Sequence, residues 1–154
     1  MKYDHGNPHH RHILATTLIA MLIDKGFEEE APQDRGSYTT KERVFSRPIN
    51  ERMRVAVYTT IEGTEVRQVG KDAIRVVALY RNANGQDRGV AKADKRVHRT
   101  GKISAVTDRT LNRMREVWRI ASHSERCRHC GAPMFTSKKG NLVCADLCWT
   151  RRAA

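Results

Sequence analysis

The 154-residue chain has no cysteine outside one short C-terminal stretch, and aromatic residues make up only 6% of it. Its longest apolar run, Ile13 to Ile23, is 11 residues and includes Thr16 and Thr17, too short to span a bilayer. The first residues, Met1 to Pro8, lack an apolar segment behind a basic start, which argues against a secretory leader. No Gly-rich phosphate loop, nucleophile elbow, internal repeat or low-complexity tract is visible. These absences exclude a membrane-spanning segment, a disulfide framework spread along the chain and the commonest nucleotide-binding and serine-hydrolase signatures. They leave a reducing, cytoplasmic compartment as the expectation.

Acidic residues are also scarce relative to basic ones. Twenty-nine Lys and Arg stand against 17 Asp and Glu, a formal charge of +12. Such a surplus favours a polyanionic partner, and nucleic acid is the commonest. From Arg88 to Arg128 there are twelve Lys/Arg and four Asp/Glu, so the surplus is concentrated in the second half.

All four cysteines lie in the last 28 residues, as Cys127-Arg-His-Cys130-Gly and Cys144-Ala-Asp-Leu-Cys148. Two close pairs present four soft sulfurs to one tetrahedral ion, which is the ligand set of a structural Zn²⁺ site. His129 sits inside the first turn, but four thiolates already close the shell and leave no open position for catalysis. This stretch resembles treble-clef zinc fingers, on Cys127, Cys130, Gly131, Cys144 and Cys148, with Trp149 to Arg152 as the closing helix. The resemblance implies metal binding and leaves the biological role open.

The remaining chain reads as α+β. Asn7-Pro8 starts a helix over about 8–25, with Leu14, Leu18, Met21 and Leu22 as its stripe and Gly26 as its stop. The acidic stretch Glu28 to Gly36 reads as a loop. Strands follow over 38–47, 52–60, 65–80 (with a bulge at 70–72) and 88–99, with turns at Glu62-Gly63 and Asn84-Gly85. In the second strand Met53, Val55, Val57 and Thr59 alternate with Arg54, Ala56, Tyr58 and Thr60. A last helix runs to about 121 on Ile103, Val106, Thr107, Thr110, Leu111, Met114, Val117, Trp118 and Ala121. The expected architecture is an antiparallel meander of about four strands, flanked by an N-terminal and a C-terminal helix on one face, plus a small four-cysteine zinc module. The expected division is a basic core domain over 1–122 and a zinc module over 123–154.

Strict period two in the last strand places Arg88, Lys92, Arg96 and His98 on one side, opposite Gly89, Ala91, Ala93 and Val97. With Lys95, Arg99, Lys102, Arg109 and Arg113 they form the expected phosphate-contacting region. Arg54 and Arg75, near Tyr58, would add a sheet face, and Lys138, Lys139, Arg151 and Arg152 a contact from the zinc module. The meander over 52–99 followed by Ala105-Val-Thr-Asp108, Leu111, Arg113, Met114 and Arg115 resembles single-strand annealing recombinases. That resemblance implies that Lys95, Arg96, Arg99, Lys102, Arg109 and Arg113 line a groove on a ring or filament. The zinc module lies outside that family's pattern.

The functional expectation is a non-catalytic, nucleic-acid-binding zinc protein of recombination, repair or replication, of a phage or mobile-element type, with DNA favoured over RNA. A homo-oligomer or a protein partner is compatible with it. Two alternatives come from other classes. A metal-dependent nuclease would use Glu65 and Asp72, which lie close to Glu62 and Lys71, to hold Mg²⁺ and activate water, although ion-paired turn residues explain that group more simply. A protein-interaction adaptor would dock a partner through the zinc finger. The run His5, His9, His10 and His12 is read as a solvated terminus rather than a metal site.

Overall fold

A computed structural model describes residues 1–31, 42–60 and 73–149. The chain is α+β, with elements in the order α1 (Pro8–Asp24), β1 (Glu28–Glu29), β2 (Glu42–Pro48), β3 (Met53–Thr60), β4 (Ala73–Arg81), β5 (Asp87–His98), α2 (Ile103–Ser122), β6 (Met134–Thr136) and β7 (Leu142–Cys144). Strands β1 to β5 form one antiparallel meander in sequence order, and β6 and β7 form a separate two-stranded ribbon. The expected turn at Glu62-Gly63, the 70–72 bulge and the carboxylates Glu62, Glu65 and Asp72 lie outside the described residues, as do Arg151 and Arg152.

Local chemistry explains the helix ends. Asn7 Oδ1 accepts from the His9 amide at 2.9 Å, and Pro8 opens α1 with its φ already helical. Gly26 stops the helix at φ +83°, a left-handed conformation that costs glycine little. Leu14, Leu18 and Leu22 then bury one stripe of α1. In α2 the buried positions are Ile103, Val106, Thr110, Met114, Val117 and Ala121, all from the expected stripe, while its other members Thr107, Leu111 and Trp118 are half-buried. Both helices and one sheet face feed a single core cluster with Phe45, Met53, Val55, Val57, Ile74 and Val76. The opposite face carries a smaller buried cluster of Val44, Ala56, Val77 and Leu79.

The acidic stretch after Gly26 departs from its reading as a loop. Glu28 and Glu29 pair with Ser46 and Phe45 as a fifth, two-residue strand. Buried Phe27 anchors the chain there, and both Glu29 oxygens accept from Arg43, at 2.6 and 2.7 Å. No sequence period signals such a short strand, because its partner is 14 residues away or more.

Strand β5 departs from strict alternation. The β4–β5 register slips by three residues between Val77 and Leu79, and Lys92 takes φ +66°, so β5 carries an irregular bulge with an odd number of extra residues. The phase therefore inverts. Val90 faces the core before the bulge, and Ala93 and Val97 face it afterwards. Arg88, paired with core-facing Tyr80, does not share a side with Arg96 and His98, contrary to the period-two reading.

Candidate metal centre and basic groove

The Cys127–Cys130 turn closes on itself. The Gly131 amide donates to the Cys127 carbonyl at 2.9 Å, with Gly131 at φ +76°, and the Cys127 amide donates to the Ala132 carbonyl at 2.7 Å. The β6–β7 ribbon then carries the chain back, Met134 facing Cys144 in register. A tight turn through Ala145 and Asp146, with Leu147 at φ +50°, brings Cys148 beside the first pair. All four sulfurs lie within 4.8 Å of one another.

The sulfur distances distinguish two chemistries. Cys127 Sγ is 3.5 Å from Cys148 Sγ, and Cys130 Sγ is 3.4 Å from Cys144 Sγ. A disulfide needs about 2.05 Å, and all four cysteines are free. A tetrahedral ion with bonds of about 2.3 Å separates its sulfurs by about 3.8 Å. These two pairs reach that spacing after movements of a few tenths of an ångström, and the whole set lies close enough for one metal ion. Cys144 and Cys148 are buried, whereas Cys130 is exposed. The His129 and Cys130 amides hold the Cys127 thiol down to about 6, so this sulfur is a thiolate at neutral pH. Burial pushes the Cys148 thiol up. His129 is exposed and is not one of the clustered ligands.

This turn is fastened to the main sheet. Asp146, between the last two cysteines, accepts from the Tyr80 hydroxyl at 2.8 Å and from the Ala83 amide at 2.7 Å. Buried Asn82 donates to the Ala145 carbonyl at 3.3 Å, and its own Oδ1 accepts from the Asn84 and Gln86 amides. Ala132, Cys144, Ala145 and Cys148 belong to the same apolar cluster as the sheet core. Nothing in the sequence singles out Asp146 or Asn82, since the contact joins residues 63 or more apart.

The expected phosphate contacts fall into three groups. Arg96, His98, Arg109 and Arg113 converge, with Thr100 and Asn112, on a groove of about 490 Å³ between the end of β5 and α2. Arg109 Nη2 donates to the His98 and Thr100 carbonyls at 2.9 and 2.6 Å, which tie α2 to the end of the strand. Arg113 meets Glu116 at 2.6 Å, and Lys95 reaches the same carboxylate at 3.6 Å. Arg113 in turn holds the Glu116 carboxyl below the usual carboxylate range.

The second group borders a groove of about 390 Å³ between β5 and the β6–β7 ribbon, where Arg88, Lys92 and Lys138 stand with Asp87, Asp94 and Phe135. The Arg88 guanidinium lies 5.3 Å from the Phe135 ring centre. Lys139 is exposed on the adjoining turn, and Lys102 is exposed just before α2.

The third group is not free to meet a phosphate in the expected way. Arg54 is clamped between Glu30 at 2.6 Å and Asp87 at 2.9 Å, with a side chain only 17% exposed. Asp87 is thereby held below the usual carboxylate range. Arg75 makes two contacts with Asp94, at 2.8 and 3.2 Å, and lies 5.5 Å from the Tyr58 ring centre. Arg99 is 5% exposed, in step with the inward-facing Ala93 and Val97. The four-sulfur group is the one cluster of three or more His, Cys, Asp or Glu suited to a metal among the described residues. No described helix is long and apolar enough to cross a membrane. Comparison with protein-family models, curated proteins and solved structures finds no match, so the likeness to annealing recombinases gains no relative to support it.

Proposed function

We propose that this chain is a nucleic-acid-binding protein whose C-terminal four-cysteine module holds a structural zinc ion, with DNA in recombination, repair or replication as the favoured setting. The observation that carries the reading is the groove between β5 and α2, where Arg96, His98, Arg109 and Arg113 meet without an acidic residue in the lining. Cations spaced along a strand and an adjoining helix suit successive phosphates, and each phosphate neutralised releases counterions. Lys92 and Lys138 extend the positive surface along β5 to the metal module. Backbone contacts of this kind position a polymer without reading its bases.

Zinc is the ion favoured by four thiolates in a tetrahedron, and it would fix Cys127, Cys130, Cys144 and Cys148 without an open position. The chain's own residues then orient the module. Asp146 and Ala145 hold the β4–β5 turn, from which the basic strand β5 departs. The test is a mobility-shift titration of zinc-loaded protein against single- and double-stranded oligonucleotides. Changing Arg96 and Arg113 together to Glu is expected to lower affinity by about 100-fold or more at low salt. Unchanged affinity removes this groove from the account.

A further inference from the structure

A third recess, of about 400 Å³, opens on the other flank of α2, between that helix, β2 and the C-terminal end of α1. Its floor is apolar, made of Phe27, Leu111, Met114 and Trp118, and its rim carries Lys25, Arg47 and Arg115. No acidic residue lines it. The Arg47 guanidinium lies 5.0 Å from the Trp118 ring centre, and its Nη1 donates to the Lys25 carbonyl at 3.1 Å.

The rim cations differ from four other sheet arginines. Arg43, Arg54, Arg75 and Arg81 each meet a carboxylate. Among the described residues, Arg47 and Arg115 have no carboxylate within ion-pair distance, and Lys25 has only its neighbour Asp24 at 3.9 Å. Three cations around an apolar floor are complementary to a chain that offers carboxylates beside an apolar side chain. A floor containing Met and Leu adapts to aliphatic or aromatic side chains of different shape. A nucleobase would need an open ring face to stack upon, and Arg47 already occupies a face of Trp118.

We infer that this recess docks an acidic peptide segment of a protein partner, with one apolar side chain seated among Phe27, Leu111, Met114 and Trp118 and its carboxylates on Lys25, Arg47 and Arg115. The site lies on residues separate from the β5–α2 groove and does not depend on the nucleic-acid reading.

The experiment uses full-length, zinc-loaded protein with Trp149, which is 52% exposed, changed to Phe, so that Trp118 is the sole tryptophan. The probe is a synthetic peptide alternating Asp or Glu with Leu or Phe. Controls replace its acids with Lys, or its Leu and Phe with Ser. Saturable change in Trp118 emission is expected with the first peptide and with neither control. Arg115→Glu alters an exposed residue with no described partner and should weaken the peptide about tenfold, while oligonucleotide affinity stays within about twofold. The inference is overturned if the acidic peptide fails to saturate at millimolar concentration, or if the Ser control binds equally well. It is equally overturned if Arg115→Glu leaves peptide affinity unchanged, or if an oligonucleotide displaces the peptide.

Discussion

Replacing Asp146 by Ala separates a metal module that is merely appended from one that is built into the sheet. The carboxylate accepts two hydrogen bonds, from the Tyr80 hydroxyl and the Ala83 amide, at 2.8 and 2.7 Å. Bonds to a charged acceptor contribute about 1.5–3 kcal/mol each, but only where water cannot replace the lost partner. Ala83 is exposed and its amide can be rehydrated, whereas Tyr80 is 7% exposed and its hydroxyl loses its acceptor in part-buried surroundings. The net cost should be about 2–3 kcal/mol. For a protein of this size that lowers Tm by about 4–12 °C. Asp146→Asn keeps an acceptor and should cost about half as much. The assay is thermal unfolding followed by circular dichroism, with zinc bound and after chelation. Because the ion fixes the turn carrying Asp146, the difference between parent and variant should shrink once metal is removed. A change in Tm below about 1 °C, or an equal loss with and without metal, would refute the proposed coupling of centre and sheet.

Other consequences are open to equally direct checks. Cys144→Ser removes a buried ligand and should lower zinc affinity at least about 100-fold, read by competition with a colorimetric chelator. Zinc affinity should fall as pH drops, most steeply below about 6, where the Cys127 thiolate also gains a proton; titration calorimetry in two buffers measures the protons released. Arg54→Leu leaves Glu30 and Asp87 facing each other without their shared cation and should cost about 2–3 kcal/mol in urea unfolding at neutral pH. Asp87 is held low by Arg54, so its contribution is present above the ordinary Asp value of about 4 and disappears as pH falls through the lower folded value; the cost of Arg54→Leu should therefore shrink in strong acid. Tyr80 is pushed up, first by burial and then by Asp146, so its contribution holds below about pH 10 and is lost as pH rises through its folded value.

What the sequence discloses depends on whether the responsible contact is local. The cysteine spacing is local, and the structure brings those four sulfurs into one cluster. The α2 stripe and the inner face of β3 are local periodicities; Met53, Val55, Val57 and Thr59 are buried, as are six residues of the stripe, while Thr107, Leu111 and Trp118 are half-buried at its edge. The bulge at Lys92 is different, because an odd-numbered insertion leaves no mark in an alternating pattern yet puts the two halves of the strand in opposite phase. That reversal separates Arg88 from Arg96. Arg54 and Arg75 read as exposed cations because their carboxylates lie 19 to 33 residues away. The recess beside Trp118 joins α1, β2 and α2, and no single segment announces it.

Equilibrium binding of the zinc-loaded chain to a labelled oligonucleotide across a salt series tests the nucleic-acid reading most directly. With Arg96, Arg109 and Arg113 as the principal phosphate contacts, log K should fall linearly with log salt at a slope of about −2 to −3, and Arg96→Glu should flatten it by about one. An absence of binding in dilute buffer, or an affinity indifferent to salt, would contradict the reading.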